Sequence, residues 1–276
     1  MFAFLSKFFL KNHIDLFAPI PLSDCKVQRE YLLEREGIQS GTVIMLAIPY
    51  FTKTCQDPSR NLSCYAVSKD YHGYFKSLYA ELLPLLREKF PNNRFAGFAD
   101  HSPICEVDAA ARAGLGIIGK NHLLITEKYS SFVFLGCLIT DAVLNCEAHE
   151  PAFCEDCGAC TRACPASDMS NCLSALTQKK GALSEEERRK ILCHGSVWGC
   201  DICQLVCPHT QQALKQNTIF SPIPYFEDDT LPHLTVEKLD EMSDDDFLSR
   251  AYAWRGKETV RRNLLLFEEL EKKGEP

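Results

Sequence analysis

Cys154-Glu155-Asp156-Cys157-Gly158-Ala159-Cys160-Thr161-Arg162-Ala163-Cys164-Pro165 is the stretch around which the rest of the chain is organised. Its spacing is that of a bacterial iron–sulfur run. Three cysteines wrap a tight loop around a cuboidal [4Fe–4S] cluster, and the fourth leaves to ligate a second cluster. A second stretch, Cys200-Asp201-Ile202-Cys203-Gln204-Leu205-Val206-Cys207-Pro208, repeats the ending but lacks the upstream member of a full run. Cys172 is the replacement, with Cys193 as its rival. The pairing that follows places Cys154, Cys157, Cys160 and Cys207 on one cluster, and Cys164, Cys172, Cys200 and Cys203 on the other. Zinc is the alternative occupant of Cys-x-x-Cys pairs. Eight ligands and two cysteine–proline endings argue for clusters.

The cysteine count supports this reading. Nine of the fifteen cysteines fall between residues 154 and 207 of a 276-residue chain. A chain of this length needs no disulfide staples, so the pattern reads as metal ligation in a reducing cytoplasm. Cys25, Cys55, Cys64, Cys105, Cys137, Cys146 and Cys193 remain, most of them expected to be buried hydrophobes. The net charge of −7 does not announce a nucleic-acid binder, which would need a local basic patch against the overall field. No apolar run is long enough to span a membrane. The start, Phe2 to Leu10, is interrupted by Lys7 and reads as an amphipathic helix, not a signal peptide.

Outward from the cysteines, the chain divides into three parts: 1–150, 151–215 and 216–276. In the first, 41–50 and 131–140 are continuous apolar, β-branched runs that predict buried strands. Phe75, Leu78, Tyr79, Leu82 and Leu86 recur at helical spacing, with Pro84 as a kink, and 106–113 is a second helix. In the cysteine module, Ser184 followed by Glu187 marks a helix start. The last part begins Pro-rich and ends as a charged helical tail.

Gly114-Leu115-Gly116-Ile117-Ile118-Gly119-Lys120-Asn121 imitates two nucleotide-binding patterns. Both patterns need a preceding strand, whereas Val107 to Ala113 is a strong helix former, and Asn121 stands where a phosphate loop has Ser or Thr. The glycines instead end a helix and let the backbone approach a large flat ligand. Upstream, Asp100 ends a strand before a Pro-initiated helix, which suits either a reactive acid or a plain helix cap.

Several segments together resemble the epoxyqueuosine reductase family of cobalamin- and iron–sulfur-dependent enzymes in tRNA queuosine synthesis. They are Tyr65-Ala66 with Asp70-Tyr71-His72, Asp100-x-x-Pro103-x-x-Glu106, Ala113 to Asn121, and Phe134-Leu135-Gly136 with Thr140-Asp141. Asn171-Cys172-Leu173-Ser174, the Gly199 to Pro208 run, Trp254-Arg255-Gly256 and Arg262-Asn263 complete the set. The likeness spans roughly residues 40–265. It implies an α+β fold: a mixed-sheet cobalamin-binding domain, a ferredoxin-like double [4Fe–4S] module, and a helical segment packed back on the core.

It also implies roles. Tyr71, His72, Asp100, Gly114, Gly116, Gly119, Lys120 and Asn121 would contact cobalamin, and Asp100 would protonate the epoxide oxygen. The substrate would be the anticodon loop of tRNA, and the electrons would come from an external low-potential donor such as flavodoxin or ferredoxin, with the protein a cytoplasmic monomer. Many members of the family continue into a helical repeat module beyond the point where this chain stops. Gripping phosphates would then fall to Arg255, Lys257, Arg261 and Arg262, with Lys179, Lys180, Arg188, Arg189 and Lys190; the alternative is a solvated face. Cys64 and Cys105 would be thiols near cobalt or core cysteines. Two other functions stay open: reduction of a small molecule with the same cofactors, and plain electron transfer. The 150 residues ahead of the clusters argue against the second.

Overall fold

The structure, a computed structural model, describes residues 1–166 and 172–273, with side chains through residue 270. Asn171 of the quoted motif and the last three residues of the tail lie outside the described residues. Two compact units form. Met1–Tyr50, Tyr71–Gly158 and Pro208–Ile223 make the first; Phe51–Asp70, Ala159–Cys207 and Pro224–Pro276 make the second. The division into consecutive pieces at 150 and 215 is therefore not how the chain compacts. Phe51–Asp70 belongs with the cysteine helices because its backbone pairs there: Ser63 N–H donates to Trp198 O at 2.8 Å and Val197 N–H to Asn61 O at 2.8 Å. Pro208–Ile223 belongs with the first unit through Ser130–Thr210 and Ser221–Pro49 hydrogen bonds, both 2.7 Å.

The first unit runs α1 (Phe2–Lys11), β1 (Phe17–Pro21), α2 (Glu30–Glu36), β2 (Thr42–Pro49), α3 (Tyr71–Lys89), β3 (Phe95–Ala99) and α4 (Glu106–Arg112). A hairpin of β4 (Ile117–Ile118) and β5 (Leu124–Ile125) follows, then β6 (Val133–Thr140). Among the described residues, the main sheet has the order β1-β2-β6-β3, and every neighbouring pair is antiparallel. The expected mixed sheet is thus corrected. β2 and β3 do run parallel, joined by α3, but β6 inserts between them and pairs antiparallel with both.

All eight residues of β2 are buried because both faces of the sheet are covered, which is why the strand reads as an unbroken apolar run. One face carries Val43, Met45, Ala47, Phe98, Cys137 and Ile139 against the alanines of α4 and the leucines of α2. On the other face α3 approaches closely. A Cβ at Gly97 would lie 2.4 Å from the Tyr79 ring, and one at Gly136 would lie 2.3 Å from Phe75. Tyr79 then reaches through to the Phe98 and Cys137 carbonyls, each 3.0 Å from its hydroxyl. The helix runs on through Pro84 and buries the five expected apolar residues.

The second unit is helical: α5 (Ala159–Ala163), α6 (Leu173–Thr177), α7 (Glu185–His194) and α8 (Ile202–Leu205) carry most of the cysteine module. Ser184 and Glu187 cap α7 reciprocally, as their spacing predicts. α9 (Pro208–Lys215) returns to the first unit; α10 (Pro224–Glu227), α11 (Val236–Glu241), α12 (Asp244–Leu248) and α13 (Lys257–Lys273) complete the second. Fully buried Asn263 ties α13 to the module by donating to Thr177 O at 2.7 Å and Val197 O at 2.9 Å. Among the described residues, no helix is long and apolar enough to cross a membrane.

Adding one methyl at Gly97 should push α3 off the sheet. Gly97→Ala is expected to cost about 1–3 kcal/mol, the usual price of overpacking, read as a lower urea midpoint with an unchanged slope.

Candidate functional site

α3 begins at Tyr71, so the helix that presses on the sheet delivers Tyr71 and His72 to one place. The Tyr71 ring stacks on Phe134 of β6 at 4.1 Å, and Phe134 stacks on Tyr50 at 4.3 Å. His72 lies against Tyr71 at 4.1 Å between ring centres. Opposite them, β3 ends at Ala99 and the chain turns through Asp100 with φ of 62°, in the left-handed region that non-glycine residues rarely adopt. That turn brings the Asp100 carboxylate to 3.8 Å from His72 Nε2.

These residues border a cavity of about 160 Å³, lined by Tyr71, Asp100, Glu106, Leu124, Ser131 and Phe134 among others. A pocket for a whole drug-sized ligand needs roughly 300 Å³ or more. The cavity therefore admits the reacting part of a substrate or one face of a larger ring.

The two carboxyls in it are held in opposite states. The His72 imidazole beside it holds Asp100 below the usual carboxylate range, helped by the Arg29 charge and the Tyr71 hydroxyl, against partial burial. Burial pushes Glu106 up to about 8, and the Asp100 charge adds to the rise. The Asp100 backbone amide, the Ser102 hydroxyl and Arg29 pull Glu106 back only in part. Its Oε1 is buried without a hydrogen-bond partner. Two carboxyls pushed apart in one cleft are a recurring arrangement of acid–base sites.

Asp100, Tyr71 and His72, three of the residues expected at the cofactor, are thus brought together in the first unit. The other expected cofactor contacts form a neighbouring loop. Gly114, with φ of 80°, ends α4, and the strand pair β4–β5 follows, so the segment is preceded by a helix and leads into a strand rather than a nucleotide loop. The space beside two glycines is filled by the loop's own atoms: a Cβ at Gly116 would meet Ile125 O at 2.4 Å, and one at Gly119 would meet Asn121 Oδ1 at 2.3 Å. Asn121 accepts the Leu123 N–H at 3.3 Å, closing the turn. Lys120 pairs with Asp156 at 2.9 Å, and its backbone N–H donates to Cys154 Sγ at 3.2 Å.

In the second unit, burial raises the Cys200 thiol to about 11, and the Asp201, Cys172 and Cys164 charges act in the same sense. These cysteines therefore face one another, with Cys203 on α8 beside them in sequence. Cys160 lies on α5, and Cys207 directly precedes α9. Cys154 and Cys157 belong to the first unit. Among the described residues, no three His, Cys, Asp or Glu side chains converge as ligands of one ion. A cubane takes each thiolate on a different iron, so its ligands stand further apart than those of a single ion. Cys193 is exposed on α7.

Asp201, between two of these cysteines, is 2.7 Å from Arg60 and accepts the Cys64 N–H at 2.8 Å. Cys64 is fully buried in the second unit, whereas Cys105 is half-buried at the start of α4 in the first.

Glu106 is the site residue that sequence reasoning quoted without giving it a role. An acid in the first turn of a helix ordinarily sits in solvent and favours the dipole. The available signal was its setting: Ile104 and Val107 beside it and three alanines after it leave α4 little polar surface.

Measured against known proteins, the chain is an α+β oxidoreductase. It is 32% identical over 245 residues to the epoxyqueuosine reductase of Lactococcus garvieae, covering 81% of this chain and 67% of that protein. The Gloeobacter violaceus epoxyqueuosine reductase is 32% identical, over 76% of this chain and 69% of that protein. With the Listeria monocytogenes enzyme the identity is 33%, and the match spans about half of that protein, 54%. The chain belongs to the epoxyqueuosine reductase family. No family model matches it. In fold it is similar to the Streptococcus thermophilus epoxyqueuosine reductase structure, with a TM-score of 0.77 and 24% identity over 100% of this chain and 86% of that one. A second, solved with an epoxyqueuosine-modified tRNA stem loop, has a TM-score of 0.76 and 24% identity, over 96% of this chain and 80% of that one.

The raised Glu106 makes a pH prediction. Below its ordinary value of 4.5 the group is protonated folded or unfolded, and above about 8 it is ionised in both states. Between these, only the folded protein keeps the proton, so this contribution to stability falls as pH rises. Across that window the wild type is expected to lose stability relative to Glu106→Gln in urea unfolding. Parallel curves would refute the assignment.

Proposed function

We propose that this protein reduces the epoxide of epoxyqueuosine in tRNA to the alkene of queuosine, using cobalamin and two [4Fe–4S] clusters. The observation that carries the reading is the cavity in which Asp100, turned out of the end of β3, meets Tyr71 and His72 from the start of α3. Family membership and the solved relative bearing an epoxyqueuosine-modified stem loop support it.

The residues present suit both cofactors. Leu123, Leu124, Val133 and Phe134 give the cavity an apolar wall for one face of a corrin, with the carboxyls as its polar contrast. Cys164, Cys172, Cys200 and Cys203, all in the second unit, would be the ligands of one cluster. The set of Cys154, Cys157, Cys160 and Cys207 rests on spacing, with the Lys120 amide on Cys154 as the kind of N–H···S contact that tunes a cluster's potential. When bound, cobalamin would supply a strongly nucleophilic reduced metal to the epoxide carbon, with the clusters delivering electrons from flavodoxin or ferredoxin. The chain's own part is to bind the substrate at the cavity mouth, keep water from its apolar wall, and protonate the released oxygen from Asp100. Protonation matters because an alkoxide is a poor product to leave unprotonated. On this reading the protein works as a monomer in the cytoplasm.

One observation favours the small-molecule reading. Five of the nine basic side chains expected to grip phosphates are engaged within the protein. Arg261 pairs with Asp240, Arg188 with Glu269, Lys179 with Glu187 and Lys190 with Glu186, while Arg262 donates to the Lys179 and Gly181 carbonyls. Arg255 lies 3.7 Å over the Trp254 ring.

Anaerobic purification with cobalamin is expected to give a protein that keeps a corrinoid spectrum. Nucleosides of tRNA from a deletion strain should accumulate epoxyqueuosine, and their failure to do so would leave the small-molecule reading. Asp100→Asn should abolish turnover, by at least about a hundredfold, while the corrinoid spectrum persists. Full activity in that variant would remove Asp100 as the acid.

A further inference from the structure

Taking the oxygen from an epoxide as water, to leave an alkene, consumes two electrons and two protons. One proton goes to the oxygen as the first C–O bond opens; the second is needed as the resulting hydroxyl departs as water through cleavage of the second C–O bond. The electrons enter through the clusters. Asp100 is one carboxyl, and its side chain is 70% exposed before substrate arrives. In that open state it is a carboxylate in exchange with solvent; substrate arriving over it strips its water, which favours the neutral acid and lets it take up the first proton as the mouth closes. Once substrate covers the cavity mouth, solvent supply is cut, and a second proton has to come from within the protein.

Glu106 is placed to hold it. Glu106 lines the same cavity as Asp100, and its Oε1 is sealed from water with no hydrogen-bond partner. The Asp100 backbone amide and the Ser102 hydroxyl lie beside the carboxyl. Ser102 is itself fully buried and fixed, its carbonyl accepting Arg29 Nη1 at 2.9 Å and its hydroxyl accepting the Ile104 N–H at 3.3 Å. The charged and titratable groups around Glu106 are Asp100, Arg29, Tyr79 of α3 and Cys137 of β6. The last two are neutral at physiological pH because burial raises both well above their ordinary values. A buried carboxyl oxygen without a donor is tolerated far better on a neutral acid than on a carboxylate.

From this we propose that Glu106 stores the second proton of the reaction and passes it to the Asp100 carboxylate, which delivers it to the departing oxygen. Glu106, left as a carboxylate, regains a proton from solvent when product leaves. The inference rests on the reading given under Proposed function, and its test separates the two.

The full-length holoprotein, labelled with ¹³C at glutamate carboxyls, is titrated by infrared spectroscopy without substrate. One protonated glutamate carboxyl should disappear with a midpoint near pH 8 and be missing from Glu106→Gln. In Asp100→Asn, which removes a neighbouring negative charge, the midpoint should move down. With epoxyqueuosine-containing tRNA, turnover by the wild type should fall above that pH. Glu106→Gln should be slower by roughly a hundredfold, the low end of what a positioned proton donor supplies, and flat with pH. Glu106→Asp should recover part of the rate, which mere filling of space would not do. Absence of the protonated carboxyl, or a wild-type rate and pH profile in Glu106→Gln, overturns the inference. A wild-type protein that reduces no epoxyqueuosine overturns the reading beneath it, whatever the infrared titration shows.

Discussion

The seat of Tyr79 on Gly97 and of Phe75 on Gly136 is the contact on which the first unit depends. Without side chains at those two positions, α3 lies against the backbone of β3 and β6, and the Tyr79 hydroxyl anchors it to two strand carbonyls. Interiors pack at crystal density, so such a contact leaves no freedom to slide. The start of the helix is thereby fixed relative to the end of β3. Tyr71 and His72 meet Asp100 because five residues further along the helix have one place to go.

The same packing gives two carboxyls of one cleft opposite characters. Asp100 projects from a left-handed turn into a half-open mouth, where an imidazole lies beside it. Glu106 sits at the start of the next helix, with its Oε1 cut off from water. Nothing in the chemistry of the side chains separates them; the difference is made by burial and by which neighbour can donate.

Much of this was legible in the residues. Unbroken apolar runs gave β2 and β6, helical spacing gave α3, and the alanine-rich segment before Gly114 exposed the false nucleotide loop. The cysteine spacing was the most specific signal, because ligand chemistry of the kind proposed for it constrains sequence directly. The antiparallel sheet was not legible, since an inserted strand leaves no mark on either neighbour. Nor was the raised Glu106: its state depends on burial and on the Asp100 charge, which the fold alone brings to bear. Basic side chains such as Arg262 read as phosphate contacts until their partners were visible, because charge is written in sequence and neutralisation is not.

The alternation of segments between the two units bears on how the protein is made. The chain passes from one unit to the other five times, and the first unit is completed only by Pro208–Ile223. That closing segment starts at the residue after Cys207, the last cysteine of the module. During synthesis, the first unit therefore cannot close until every cysteine of the module has been translated. Completion of the first unit waits on the emergence of the whole cysteine-rich stretch, so the order of residues on the ribosome sets which unit can finish first.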